Sequence, residues 1–122
     1  MSLDHAPDLP PRYRVGRLAV EASSSPAGPR LVVVGELDAS TVPVLAEPLR
    51  QAAGSEVPVL VVDVRRVSFC DVAGMKLLAE TANRLRVGGR RLVVHGPCPS
   101  LQLLLDILGP AAPFELASGP LA

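Results

Sequence analysis

The run Val67 Ser68 Phe69 Cys70 Asp71 Val72 Ala73 Gly74 Met75 Lys76 Leu77 Leu78 holds the residues of this 122-residue chain that come closest to chemistry. An apolar strand ending near Val64 leads through a short loop into an amphipathic helix, and Asp71 stands where that helix begins. A helix start presents unpaired amides and the positive end of the dipole, so it suits a carboxylate, or a serine whose phosphate would bring nearly two negative charges. Asp71 reads either as a plain N-cap or as a functional carboxylate, and the two roles are compatible. Cys70 is the nearest thing to a nucleophile, yet no base partner is identifiable for it. His5 lies in the N-terminal segment, and His95 ends an apolar strand, where an isolated histidine is structural. Cys70 and Cys98 fit no metal spacing and read as small buried hydrophobes; redox activity is the alternative, since both lie at one strand-to-helix edge. Gly88 Gly89 closes a helix instead of opening one, unlike a phosphate-binding loop. A non-catalytic binding module is the expectation, with no cofactor and no metal.

Composition narrows the partners. The chain is 48% hydrophobic and 20% charged, with twelve basic and twelve acidic residues. That mixture suits one globular domain, and the zero net charge supplies no field favouring nucleic acid or an anionic membrane. Tyr13, Phe69 and Phe114 are the only aromatic residues, so stacking platforms for single strands are absent and the core must be aliphatic. No apolar run approaches the ~20 residues of a membrane span, and Met1 to Arg14 is not a signal peptide; the expectation is a soluble, cytoplasmic protein.

The elements that position the loop follow from periodicity. Residues 13–22 alternate as a strand, and Ser23 to Pro29 breaks that pattern before a second strand over 31–36 completes a hairpin. Val42, Leu45, Leu49 and Ala52 form a helical face over 41–53, with Thr41 as N-cap and a kink expected at Pro48. The Val-rich run 57–64 is a strand covered on both faces. A second helix then runs from Asp71 or Val72 to about Val87, burying Met75, Leu78, Ala82 and Leu85 while Lys76, Glu80 and Arg84 face solvent. Residues 91–95 give another strand, and a third helix runs from Pro97–Ser100 to Gly109. In it Leu101, Leu104, Leu105 and Leu108 face the core. Leu103 and Ile107 then need cover from the segment around Phe114, or they mark a partner or homodimer contact. Arg84, Arg86, Arg90 and Arg91 cluster where the second helix ends and read as dipole complements. A short edge strand at 114–116 closes an α/β fold of order ββαβαβα: a mixed four- to five-stranded sheet with helices packed against it. One domain over 13–117 is expected, with a flexible segment 1–12 and a frayed end 118–122.

Three stretches together resemble the STAS family, in particular the anti-sigma-factor antagonists. They are Gly35 Glu36 Leu37 Asp38 with Thr41 and Pro43, the exit from Val61 to Phe69 into Asp71–Gly74, and Gly96 Pro97 to Gly109. The resemblance implies the STAS fold and binding to an anti-sigma factor that is also an ATP-binding serine kinase. It also implies a phosphoacceptor serine directly after the loop aspartate. In this chain that position is Val72, followed by Ala73, and neither side chain has an oxygen. The usual phosphorylation switch therefore cannot operate there. One expectation is an antagonist that binds without phosphorylation at this site, controlled by amount, by another component, or through Ser40, Thr41 or Ser68. The other is a subunit or adaptor of a larger assembly, such as a lipid-transport ATPase complex or a signalling complex. Either way the expected partner surface is Asp38, Thr41, Asp71, Val72, Ala73, Lys76 and Leu77.

Overall fold

The computed structural model describes residues 18–25, 28–109 and 112–118. Its elements are β1 Leu18–Ser25, β2 Gly28–Leu37, α1 Val42–Ala53, β3 Val59–Cys70, α2 Val72–Val87, β4 Arg91–His95, α3 Pro99–Leu108 and β5 Glu115–Ala117. They build one five-stranded sheet in the order β1-β2-β3-β4-β5. β1 runs antiparallel to β2, and every other neighbouring pair is parallel. Each parallel step moves one place along the sheet, so right-handed crossovers put all three helices on one face. There α1 packs on β1 and β2, α2 on β3 and β4, and α2 also touches both other helices. Leu31, Val33, Leu60, Val62, Leu92 and Val94 point into this layer and are at most 3% exposed.

Several boundaries differ from the sequence reading, each for a physical reason. Residues 13–17 of the expected first strand lie outside the described residues. The serine run does not end β1: Ser23, Ser24 and Ser25 pair with Arg30, Pro29 and Gly28. An edge strand tolerates such a sequence, because Pro29 sits at the very start of β2 where a missing amide costs little. β2 accordingly begins three residues earlier than expected.

The largest correction concerns β3, which starts at Val59 instead of Val57, continues six residues past Val64 to Cys70, and is covered by helices on one face only, not on both as expected. While β2 advances from Val32 to Val34, β3 advances from Asp63 to Arg66; while β2 advances from Gly35 to Glu36, β3 advances from Val67 to Phe69. Each irregularity inserts one extra β3 residue, so inward positions fall at 64, 67 and 70 instead of alternating. A strand with that spacing reads as a loop.

The helices keep their expected cores with local changes. α1 buries Leu45, Leu49 and Ala53, while Val42 and Ala52 are half-buried, and it continues through Pro48. α2 buries Met75, Leu78, Ala82 and Leu85 as expected, with Gly74 and Thr81 added. On α3 only Leu101 and Leu105 are buried, whereas Leu104 is half-buried and Leu108 is exposed, contrary to expectation. Phe114 enters the core, yet Leu103 and Ile107 remain 61% and 75% exposed. In the arginine cluster, Arg90 Nη1 donates to the Ala53 carbonyl at 2.7 Å and to the Ser55 carbonyl, tying down the end of α1. Arg91 pairs with Glu115 across β4 and β5.

Candidate functional site

The C-terminal ends of β2 and β3 meet through the Asp71 amide, which donates to the Leu37 carbonyl at 3.1 Å. This bond aligns two strand-to-helix turns side by side. In one, Asp71 adopts extended backbone geometry and its carboxylate accepts from the Gly74 amide at 3.1 Å. Asp71 is thus a true N-cap of α2. Gly74 is needed for closeness: a Cβ there would stand 2.6 Å from Leu37 Cγ and 2.9 Å from Cys70 Sγ. Without a side chain, α2 begins directly against the end of β2.

The second turn is organised by Asp38. Its carboxylate accepts from the Ser40 hydroxyl at 2.7 Å, the Ser40 amide at 2.9 Å and the Thr41 amide at 3.2 Å. These bonds, the Ser40 hydroxyl foremost, hold the Asp38 carboxyl below the usual carboxylate range. Thr41 occupies the N-cap position of α1 but makes no side-chain capping bond, contrary to expectation. Its hydroxyl instead donates to the Glu36 carbonyl at 2.8 Å and accepts from the Asp38 amide at 2.9 Å. Asp38 takes over the capping work, because a carboxylate three residues back reaches the Thr41 amide directly.

Between these turns α1 and α2 leave a groove of about 430 Å³ lined by Val42, Val72, Ala73, Lys76, Leu77 and Glu80. Four expected surface residues, Val72, Ala73, Lys76 and Leu77, come together in it. Val72 is half exposed, Lys76 is exposed, and Ala73 and Leu77 are half-buried. Asp38, Thr41 and Asp71 do not line the groove but fix the turns that frame it, and Thr41 is fully buried. Sequence reasoning missed Val42, which was assigned to the core face of its helix and stands at that face's edge.

It also missed Ser100. Ser100 Oγ accepts from the Cys70 amide at 2.9 Å and lies 3.3 Å from Cys98 Sγ, linking the start of α3 to the strand end that carries the site. No local spacing signals a contact across thirty residues. Cys70 and Cys98 are both buried free thiols. Burial, with smaller contributions from Cys98 and Asp71, pushes the Cys70 thiol up to about 12, so it is held as an unreactive thiol. Among the described residues no three His, Cys, Asp or Glu side chains are placed to share a metal ion. Among those residues, too, no helix is long and apolar enough to cross a membrane.

Comparison with known proteins adds the family. Solved structures with this fold include an anti-sigma factor antagonist from Mycobacterium paratuberculosis, 24% identical with a TM-score of 0.72 over 82% of this chain and 85% of that one. The unphosphorylated form of the anti-sigma factor antagonist SpoIIAA is 20% identical, with a TM-score of 0.66 over 84% of this chain and 89% of that one. The phosphorylated form of the Bacillus cell fate determinant SpoIIAA is also 20% identical, with a TM-score of 0.65 over 84% and 92%. At these identities the likeness is one of fold. No curated protein gives a significant sequence match. The family model described as "Mlab, STAS domain" matches residues 20–112, most of the chain. With the fold and this match in agreement, the chain belongs to the STAS domain family.

Proposed function

We propose that this protein is a non-catalytic regulatory binding module of the anti-sigma-factor-antagonist type. Its partner surface is the α1–α2 groove with the two turns that frame it, and its partner is an anti-sigma factor with serine-kinase character. The observation that carries this reading is the apolar groove itself, with an exposed valine at position 72 beside the capping carboxylate of Asp71. A valine there cannot accept phosphate, so at this position contact replaces the chemical switch. Val72, Val42 and Leu77 offer a partner side chain an apolar seat, and Lys76 and Glu80 give its rim one charge of each sign.

A second reading has its own support, because the matching family model is named for Mlab and not for an anti-sigma antagonist. On that reading the same groove docks the domain as a subunit of a larger assembly, such as a lipid-transport ATPase complex or a signalling complex. Both readings use one surface and differ in the partner.

The test is calorimetric titration with candidate partners of both kinds, an ATP-binding anti-sigma kinase and a transport ATPase subunit. Leu77→Asp should weaken binding by about 1 kcal/mol or more, since it places a charge in a desolvated contact. Circular dichroism of the variant should remain native. Unchanged affinity would remove this groove from the surface, and unfolding would assign Leu77 to the core. Val72→Ser, at a half-exposed helix start, should cost roughly 1 kcal/mol or less and create a hydroxyl that the kinase can phosphorylate.

A further inference from the structure

Position 72 lacks a hydroxyl, but Ser40, Thr41 and Ser68 lie on the same edge of the sheet, and their surroundings differ sharply. Thr41 is 1% exposed, and its hydroxyl is engaged with Glu36 and Asp38. An enzyme reaches it only after the turn unfolds. Ser68 is exposed but stands within β3 between the ladder pairs Gly35–Val67 and Glu36–Phe69. Its hydroxyl donates to the Gly35 carbonyl at 3.4 Å, and drawing it into a kinase cleft would break the β2–β3 pairing on either side of it. Ser40 is exposed, belongs to the turn between β2 and α1 and takes part in no ladder. Its hydroxyl points to Asp38 Oδ1 at 2.7 Å, and two residues further on Val42 forms a wall of the groove.

We propose, on the reading of this rim as a partner surface, that Ser40 is the phosphoacceptor of this chain, with ATP as donor and a serine kinase as catalyst. Ser40 Oγ attacks the γ-phosphorus; the Oγ–P bond forms and the bond from that phosphorus to the β–γ bridging oxygen breaks. ADP leaves, and the hydroxyl proton passes to water by way of its present acceptor, Asp38. Phosphoserine carries close to two negative charges at neutral pH. Where the hydroxyl donated to the Asp38 carboxylate, phosphate oxygens would now face it, and attraction becomes repulsion. Asp38 also holds the first residues of α1, its carbonyl accepting from the Val42 amide at 2.9 Å. Opening this turn therefore moves Val42 and alters the shape of the groove as well as its charge. The acceptor has shifted from one framing turn to the other.

Two measurements decide it. Phosphopeptide mapping of the protein isolated from its own cells, in growth and in stationary phase with phosphatases inhibited, should find phosphate on Ser40. That phosphate should vanish in Ser40→Ala and persist in Ser68→Ala. Phosphate only on Ser68 or Thr41, or none in either phase, overturns the assignment. Protein with phosphoserine installed at position 40 during translation should then bind its partner at least tenfold more weakly. Its amides over residues 38–45 should also exchange hydrogen faster. Unchanged exchange and unchanged affinity would overturn the switch, whereas an unmodified protein whose binding ignores Leu77→Asp would instead refute the surface on which the switch acts.

Discussion

At the scale of single residues, Asp71 has a role that is present with or without a partner. Its carboxylate caps the Gly74 amide, so Asp71→Ala should lower unfolding free energy by about 1 kcal/mol, while Asp71→Asn should retain most of the stability. Denaturant titration checks both. An equal loss in the two variants would mean that charge, not the capping bond, stabilises the turn. This cap was legible in the sequence because the aspartate, the following apolar residues and the glycine all lie within four positions. The Ser100 bond to Cys70 was not, since its two ends are brought together only by β3 and β4 pairing in register. Thr41 shows the opposite error: a good capping residue at a helix start was outcompeted by Asp38, whose longer-range bonds depend on the turn's shape.

At the scale of elements, the meeting of β2 with α2 depends on an absent side chain. Gly74→Ala places a methyl group 2.6 Å from Leu37 Cγ, so α2 must move away from the end of β2 or Leu37 must leave its site. The expected cost is about 1–3 kcal/mol, as for overpacking elsewhere, read as a lower denaturation midpoint with an unchanged m-value. An unchanged midpoint would show that the helix start has slack. The elements were readable where the period was regular: α2 buries the stripe its spacing announced. β3 was read six residues short because the Val-rich run that marks it stops at Val64, and beyond it two inserted residues leave no alternation to extend the strand. On α3 the helix itself was clear, but which leucines face inward was not, because an apolar residue stands at nearly every position.

At the scale of the whole molecule, the helices cover one face of the sheet, and the other carries a charged cluster of Glu21, Arg30, Asp63, Arg65 and Arg66 beside half-buried valines. Asp63 is 3% exposed there, and its carboxylate accepts from the Arg65 amide at 3.0 Å, Nε at 3.0 Å and Nη2 at 2.6 Å. Burial acts to raise its pKa, yet the Arg65 bonds outweigh burial and leave it lowered. A carboxyl lowered on folding contributes stability that is complete above its unfolded value, about 3.9, and is lost as pH falls through the folded value. Asp63→Asn should therefore flatten the acid limb of a stability–pH profile below about pH 4. An acid limb of unchanged slope would place that dependence on other carboxyls. The order of elements and the parallel crossovers were legible from alternation of strand and helix patterns. This cluster was not, because Asp63 sits inside a valine run whose outward face the sequence does not mark.

The bond that joins the two framing turns, from the Asp71 amide to the Leu37 carbonyl, also bears on timing. Together with the Asp38 bonds it holds both turns in one arrangement, so on the proposed reading a partner would meet a preformed surface, with little chain freedom left to freeze on contact. Encounter should then proceed as a single step at the ordinary rate for rigid docking, about 10⁵–10⁷ M⁻¹ s⁻¹. Variants of the groove should differ in residence time while their association rates stay together, which stopped-flow mixing can measure. An association rate that saturates with partner concentration would reveal a slow rearrangement and show that these turns open before they bind.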